Sequence, residues 1–168
     1  MGTVGRVTKA APVIIGFDGS AAAERALRDS AALLGPRHAL VVTVWEAGRA
    51  FETATLPMTG LEVPTALDIR GAIEAELELY EPARRTTQRG VRIAREAGYS
   101  DAEGLTVADD RTVADTLIRL ARERHGLGIV VGTHGHRSIS ELLLGSTSSR
   151  LVHKADCPVV VVRARNDG

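Results

Sequence analysis

The residues best suited to chemistry form a stretch rich in glycine and hydroxyl side chains in the last third of the chain. It reads "GTHGHRSISELLLGSTSSR" and spans residues 132–150. Its glycines stand at positions 132, 135 and 145, and a Ser-Thr-Ser-Ser run follows the last of them. Glycine lets the backbone approach a ligand closely, and the free N–H groups at a helix start attract anions. The spacing alone is compatible with a phosphate-binding loop or a flexible turn, and its position after a strand favours phosphate.

A second polar group, "DGS" at residues 18–20, follows the first apolar run of the chain. In a structural interpretation, Asp18 and Ser20 cap the next helix and Gly19 makes the turn. In a functional interpretation, the Asp18 carboxylate accepts hydrogen bonds from a ribose or a base. Because a carboxylate repels a triphosphate, the functional interpretation puts Asp18 at the nucleoside end of a nucleotide.

The apolar runs that must position these groups predict a parallel sheet. Four of them are rich in β-branched residues and nearly continuous, at 12–17, 39–45, 128–132 and 158–163, with a weaker run at 104–108. Such runs are typical of strands that are buried on both faces. Helical patterns alternate with them at 20–34, 67–97, 112–126 and directly after Gly145. Pro82 lies inside the second of these patterns and predicts a kink or the start of a second helix.

Strands that alternate with helices predict an α/β fold, a single doubly wound five-stranded parallel sheet flanked by helices. Ligands of such sheets bind beyond the carboxyl ends of the strands, here after Phe17, Trp45 and Val131. We expect one domain over residues 11–164, with an irregular loop at 46–66 and flexible tails at 1–10 and 165–168.

The composition excludes several classes of partner. The 168 residues include 21 basic and 21 acidic side chains, so no field of one sign indicates nucleic acid or a membrane surface. No apolar window approaches the length of a membrane span. The single cysteine, Cys157, cannot form an internal disulfide and indicates a reducing compartment. We therefore expect a cytoplasmic protein.

Other chemistries lack their characteristic residues. No Lys completes a P-loop, no G-x-G-x-x-G follows the first strand, and no G-x-S-x-G forms a nucleophile elbow. Cys157 precedes an apolar strand, where a packing role is more typical than a catalytic one. Four histidines raise a metal hypothesis: His125, His134, His136 and His153. They lack the tight constellation that zinc requires, so no metal site and no catalytic residue is predicted.

Two stretches carry a resemblance to a known family. They are "VIIGFDGS" at the front and "IVVGTHGHRSISELLLGSTSSRLVHKADCPVVVVR" at the back. With them the chain resembles the universal stress protein family, in its ATP-binding branch, over residues 11–164. The second stretch looks like the family's G-x2-G-x9-G-[ST] nucleotide motif, its short helix and its closing "CPV" strand. The resemblance implies a Rossmann-like fold of the adenine nucleotide alpha hydrolase type.

The resemblance also implies which residues contact the nucleotide. Asp18 would reach the adenosine part, and backbone groups of Val44 would pair with the adenine edge. The path of the ribose and phosphates would be lined by Gly132, His134 and Gly135. The phosphates would be held by Gly145, Ser146 and Thr147. The nucleotide would be ATP and would carry its own Mg²⁺, which needs no cage made only of protein ligands.

The expected function is that of an adenine-nucleotide-binding regulatory protein of the stress response, with an unidentified protein partner. A slow ATPase is the alternative, but Asp18 is the only acid expected near the site, at the wrong end of the ligand to activate water. AMP or cyclic AMP are alternative ligands, because the loop can hold one phosphate as readily as three. The run at 158–163 is expected to be an apolar edge strand and to form a homodimer.

Overall fold

The apolar, β-branched runs of the chain form a single parallel sheet. A computed structural model describes residues 10–45, 66–108, 112–133 and 144–163. The elements in chain order are β1 (Val13–Gly16), α1 (Ala21–Leu34), β2 (His38–Trp45), α2 (Ala66–Ala97), β3 (Asp101–Ala108), α3 (Val113–Glu123), β4 (Gly128–Gly132), α4 (Ser146–Lys154) and β5 (Val159–Val162). The strand order is β3-β2-β1-β4-β5, and every pair is parallel. This is the doubly wound α/β fold that the sequence predicted.

The topology sets the position of the functional edge. The chain moves outward from β1 to β2 and β3, and then crosses to the other side of β1 for β4 and β5. The winding direction therefore reverses between β1 and β4. A crevice opens at such a switch point, beyond the carboxyl ends of the two strands.

Two apolar clusters hold the helices on opposite faces of the sheet. Ile15 and Leu27 belong to the cluster that packs α1 and α2 against one face. Ile14 and Leu117 belong to the cluster that packs α3 and α4 against the other. Neighbouring residues of β1 thus supply opposite layers, because successive side chains of a strand point to opposite faces. Burial on both faces explains why the central strands have almost no polar residues.

The long helix α2 departs from the sequence-based expectation. It runs unbroken from Ala66 to Ala97 with Pro82 inside it, so the expected second helix start at Pro82 is wrong. A proline removes one helical hydrogen bond, which frees the carbonyl of Glu78. Pro82 and Glu78 are both exposed, so water can satisfy that carbonyl. Buried residues farther along the helix, such as Ala94, fasten it to the core.

Some predicted features fall outside the described residues. These are the loop at 46–66 and the tails at 1–10 and 165–168, of which only residues 10 and 66 are described. Within the described part of the chain, no helix is long and apolar enough to cross a membrane. Among the described strands, β5 pairs only with β4, which confirms the expected edge position of the last strand.

Candidate functional site

The carboxyl ends of β1 and β4 frame a cavity of about 100 Å³. Its lining brings together three residues that the sequence predicted for the site, Asp18, Gly132 and Thr147. The remaining described lining residues are mostly apolar: Gly16, Phe17, Ala23, Val42, Val113, Leu117 and Val131. Val113 and Leu117 belong to α3, a helix to which the sequence assigned no site residue. Their helix begins beside the crevice, a relation that only the strand order reveals.

The turn after β1 has the geometry of the structural interpretation of the "DGS" motif and leaves the functional one a prediction. Ser20 is the N-cap of α1, and its hydroxyl accepts the Ala23 N–H at 3.2 Å. Asp18 Oδ1 accepts the Ser20 N–H at 3.0 Å, and Gly19 has a φ of +81°, which favours glycine. The structural role is therefore confirmed. The Asp18 side chain is nevertheless exposed and lines the cavity, so it can also meet a ligand.

Gly132 ends β4 where the start of α1 crosses it closely. A Cβ at this position would lie 2.9 Å from the carbonyl carbon and oxygen of Ala22. Backbone atoms cannot rotate away as a flexible side chain can, so any side chain here would push α1 from the strand. The requirement for glycine at position 132 is thus explained by the close approach of two chain segments that both line the crevice.

The N-terminus of α4 faces the crevice, and among the described residues no side chain caps it. Its N-cap is Gly145, which makes no side-chain hydrogen bond. The first three N–H groups of a helix have no partner within the helix, and they carry the positive end of its dipole. In α4 these belong to Ser146, Thr147 and Ser148. An uncapped helix start beside a cavity is a suitable site for an anion.

Hydrogen bonds fix this helix start to the end of β4. The Gly145 N–H donates to Thr133 O at 2.8 Å, and the Thr133 N–H donates to Val162 O at 3.0 Å. The buried Ser148 hydroxyl donates to Thr133 O and Gly145 O. Ser148 therefore has a structural role, whereas Ser146 is exposed and Thr147 is half-buried at the cavity.

Val44 extends past the end of the central strand. β1 ends at Gly16, which is paired with Val42 of β2. The Phe17 N–H donates to Val42 O at 2.8 Å, so the backbone groups of Val42 point towards β1. Alternate residues of a strand direct their backbone groups to the same edge, so those of Val44 point to the same side, beyond β1. They can pair with the edge of a flat ligand there.

Two predicted site residues, His134 and Gly135, lie outside the described residues. Their roles stay predictions. The described residues thus bring Asp18, Gly132 and Thr147 to one cavity. The other described site residues, Val44, Gly145 and Ser146, are not among the residues that line it.

A larger cavity of about 580 Å³ lies along the flank of the molecule, between α2 and β3. It includes Tyr80, three arginines of α2 and the middle of β3, and it contains none of the predicted site residues. Its size exceeds that of the crevice, but it lies away from the carboxyl ends of the strands. The general position of ligand sites in open α/β sheets favours the crevice instead.

Comparison with known families identifies the class of the chain. A family model described as "Universal stress protein family" matches residues 10–163. The chain belongs to the universal stress protein family. Among curated relatives, the universal stress protein YxiE of Bacillus subtilis is 28% identical over 156 residues, which cover 90% of this chain and 97% of YxiE.

Solved structures of the same family share the fold. The protein MJ0577 has a TM-score of 0.71 at 19% identity, covering 94% of this chain and 98% of its own. A universal stress protein in complex with cAMP has a TM-score of 0.59 at 22% identity, covering 91% and 96% of the two chains. The universal stress protein of Archaeoglobus fulgidus in complex with dAMP has a TM-score of 0.56 at 23% identity, covering 91% and 98%. At these identities the likeness supports the fold alone.

Proposed function

We propose that this chain binds an adenine nucleotide, ATP with its Mg²⁺, as a regulatory protein of the stress response. The observation that carries the proposal is the uncapped N-terminus of α4, which stands beside a cavity at the switch point of the sheet. Two structural neighbours of the family are complexes with the adenine nucleotides cAMP and dAMP. Their ligands support the class of molecule that the crevice would accept.

The arrangement of donors and acceptors suggests how the nucleotide lies. The adenine edge would meet the backbone of Val44, and the ribose hydroxyls would donate to Asp18. The phosphates would accept hydrogen bonds from the N–H groups and hydroxyls of Ser146 and Thr147, with the backbone of Gly145, His134 and Gly135 along their path. A volume of about 100 Å³ is small for a whole nucleotide, since ligand sites usually span about 300–1,000 Å³. The phosphates would therefore extend out of the cavity, over the start of α4.

Regulation is a better match to the site than rapid hydrolysis. Among the described residues that line the crevice, Asp18 is the only acid, and one of its oxygens accepts the Ser20 N–H. A general base must reach the attacking water, and Asp18 would lie at the ribose instead. We expect little or no release of ADP when the purified protein is incubated with ATP. Steady release of ADP would instead indicate a slow ATPase.

Homodimerisation through β5 is part of the proposal. β5 is an edge strand of four half-buried valines, and an apolar edge of this kind is a ready template for pairing with another chain. A second copy of β5 would extend the sheet and bury these side chains. The protein partner that receives the signal is unidentified.

The proposal can be tested with the chain's own fluorophore. Trp45 is the only tryptophan of the chain, it follows Val44, and its ring packs edge-on against Tyr80 at 5.6 Å between centroids. Titration with ATP, AMP and cyclic AMP should change its fluorescence, with GTP as a comparison. We expect Thr147→Ala to weaken ATP binding about 10- to 100-fold, because a hydrogen bond to a charged group contributes roughly 1.5–3 kcal/mol.

Ser149→Ala is the matched control, because Ser149 lies on the same helix beyond its uncapped first turn. It should bind ATP as the wild type does. Equal affinities in the wild type and Thr147→Ala would contradict a phosphate site at the start of α4. Tighter binding of AMP or cyclic AMP than of ATP would support the proposed site but identify a different nucleotide as its ligand.

A further inference from the structure

A cluster of one histidine and two carboxylates lies at the amino-terminal ends of β2 and β3, opposite the crevice. His38 is the first residue of β2 and is in register with Asp101, the first residue of β3, while Glu103 follows two residues later. The three candidate ligand atoms all lie within 4.8 Å of one another. Alternation along β3 puts Asp101 and Glu103 on the same face, so the strand itself groups the two carboxylates.

The hydrogen bonding of His38 prepares one ring nitrogen for a ligand. Nδ1 lies 2.9 Å from the carbonyl oxygen of Ala10, and because a carbonyl only accepts, Nδ1 carries the proton. This is the arrangement by which proteins orient a metal-binding imidazole through its other nitrogen. Nε2 is then left with a lone pair that is available to a cation.

That nitrogen is buried without a hydrogen-bond partner. The His38 side chain is only 9% exposed, and its Nε2 has no hydrogen-bond partner among the described residues. Nε2 lies 3.7 Å from Glu103 Oε2, which is within ion-pair range but too long for a hydrogen bond. An unsatisfied buried polar atom is costly, and a bound cation would satisfy it.

We propose that His38, Asp101 and Glu103 bind a divalent transition-metal ion of the zinc class. One imidazole and two carboxylates are a suitable ligand set for Zn²⁺, whose bonds to nitrogen and oxygen are about 2.0–2.2 Å long. Ligand atoms around tetrahedral zinc lie roughly 3.3 Å apart by this geometry, so small rotations of the exposed carboxylates close the set. Both carboxylates also make further polar or electrostatic contacts, with which the metal competes. Water would complete the coordination.

The site would connect β2 to the edge strand β3 independently of nucleotide. The experiment uses the full chain without a polyhistidine tag, freed of metal by chelation and free of nucleotide. Calorimetric titration with ZnCl₂ should show one ion per chain. Co²⁺ should give the d–d absorption of a nitrogen and oxygen site, and Zn²⁺ should raise the melting temperature.

Glu103→Gln and Asp101→Asn carry the test, because both side chains are exposed and the substitutions preserve shape. Each should weaken Zn²⁺ binding at least about 10-fold, because loss of a residue that only orients a metal ligand already weakens binding by about 10- to 100-fold. Glu123→Gln is the control, since Glu123 is 51% exposed against 47% for Glu103 and lies on α3. It should bind Zn²⁺ as the wild type does.

Two results would overturn the proposal. One is the absence of saturable Zn²⁺ binding in the wild type. The other is undiminished binding in both carboxylate variants, which would assign the metal to surface histidines and leave the cluster as an ion pair of His38 with Glu103. Neither result bears on nucleotide binding, which is measured separately with the metal-free protein.

Discussion

At the scale of single residues, the crevice depends on how closely two backbone segments approach. The contact of Gly132 with the backbone of Ala22 brings the start of α1 against the end of β4. Asp18 and Thr147 then face one cavity from different elements. The glycine is thus as much a part of the site's geometry as the polar side chains are.

Substitution of Gly132 by Ala should destabilise the fold and widen the crevice. We expect the free energy of unfolding to fall by about 1–3 kcal/mol, the usual cost of overpacking, because a Cβ would meet backbone atoms at 2.9 Å. Urea unfolding followed by circular dichroism measures the change. Gly71→Ala is the control: Gly71 lies within α2 with no atom within 4 Å of an added Cβ, so this change should stabilise by about 0.5–1 kcal/mol. An unchanged free energy of unfolding in Gly132→Ala would contradict the close contact with Ala22.

Cys157 should be a poorly reactive thiol. Burial raises its pKa above the ordinary value of 9.0, so at neutral pH the thiol is protonated and the nucleophilic thiolate is scarce. Native protein should therefore react with Ellman's reagent at pH 7 more slowly than the same chain unfolded in urea. Equal rates in the two states would show that the fold does not protect the thiol.

At the scale of elements, a buried polar pair joins α1 to the segment before β3. The hydroxyls of Ser30 and Tyr99 lie 2.9 Å apart, and both side chains are almost fully buried. Burial raises the pKa of Tyr99, an effect that its hydrogen bond with Ser30 partly offsets. The neutral phenol is thus the form that the folded core accommodates.

Tyr99→Phe should lower the free energy of unfolding at pH 7 by about 1 kcal/mol, since the Ser30 hydroxyl loses the Tyr99 hydroxyl and keeps its bond to the Leu27 carbonyl oxygen. The wild type should also become less stable as the pH rises above 10. There Tyr99 ionises in the unfolded chain while the folded phenol is still neutral, which favours unfolding until the folded pKa is passed. Urea unfolding at pH 7 and above pH 10 measures both effects. The difference in unfolding free energy between the wild type and Tyr99→Phe should shrink at high pH. A difference that does not change with pH would contradict a raised pKa of Tyr99.

The elements most accessible to sequence reasoning are those whose signals are local. The apolar runs of β1, β2 and β4 and the Ser20 cap were predicted and are confirmed. The start of β3 was missed because Asp101 and Glu103 are exposed edge residues, stabilised by pairing with β2 rather than by an apolar pattern. The His38 cluster was missed because the carboxylates near His38 are distant from it in sequence. Burial and pairing are properties of the tertiary structure.

At the scale of the whole molecule, the two ends of the sheet have different chemistry. The carboxyl ends hold the crevice and the uncapped start of α4. The amino ends of β2 and β3 hold the His38 cluster. A ligand at one end does not occupy the other, and the outer strand β5 provides a third surface, the one proposed to form the dimer.

The proposed dimer should depend on β5. Val161→Lys would introduce a charge in the middle of this edge strand, and charged side chains are a known means of preventing edge association. We expect light scattering coupled to size exclusion to give twice the chain mass for the wild type and the single chain mass for the variant. Val152→Lys, on α4 at a residue that is 52% exposed, should stay dimeric. A monomeric wild type would contradict the dimer.

The most direct test of the central claim is to ask whether the protein binds an adenine nucleotide at all. Freshly purified protein would be denatured and any released nucleotide identified by chromatography and mass spectrometry. Isothermal titration with ATP, AMP and cyclic AMP would follow, on the wild type and on Gly135→Val. We expect saturable binding of ATP at one site per chain, lost or strongly weakened in Gly135→Val. No released nucleotide and no heat with any of the three ligands would contradict it, and the glycine and hydroxyl stretch would then be a structural turn.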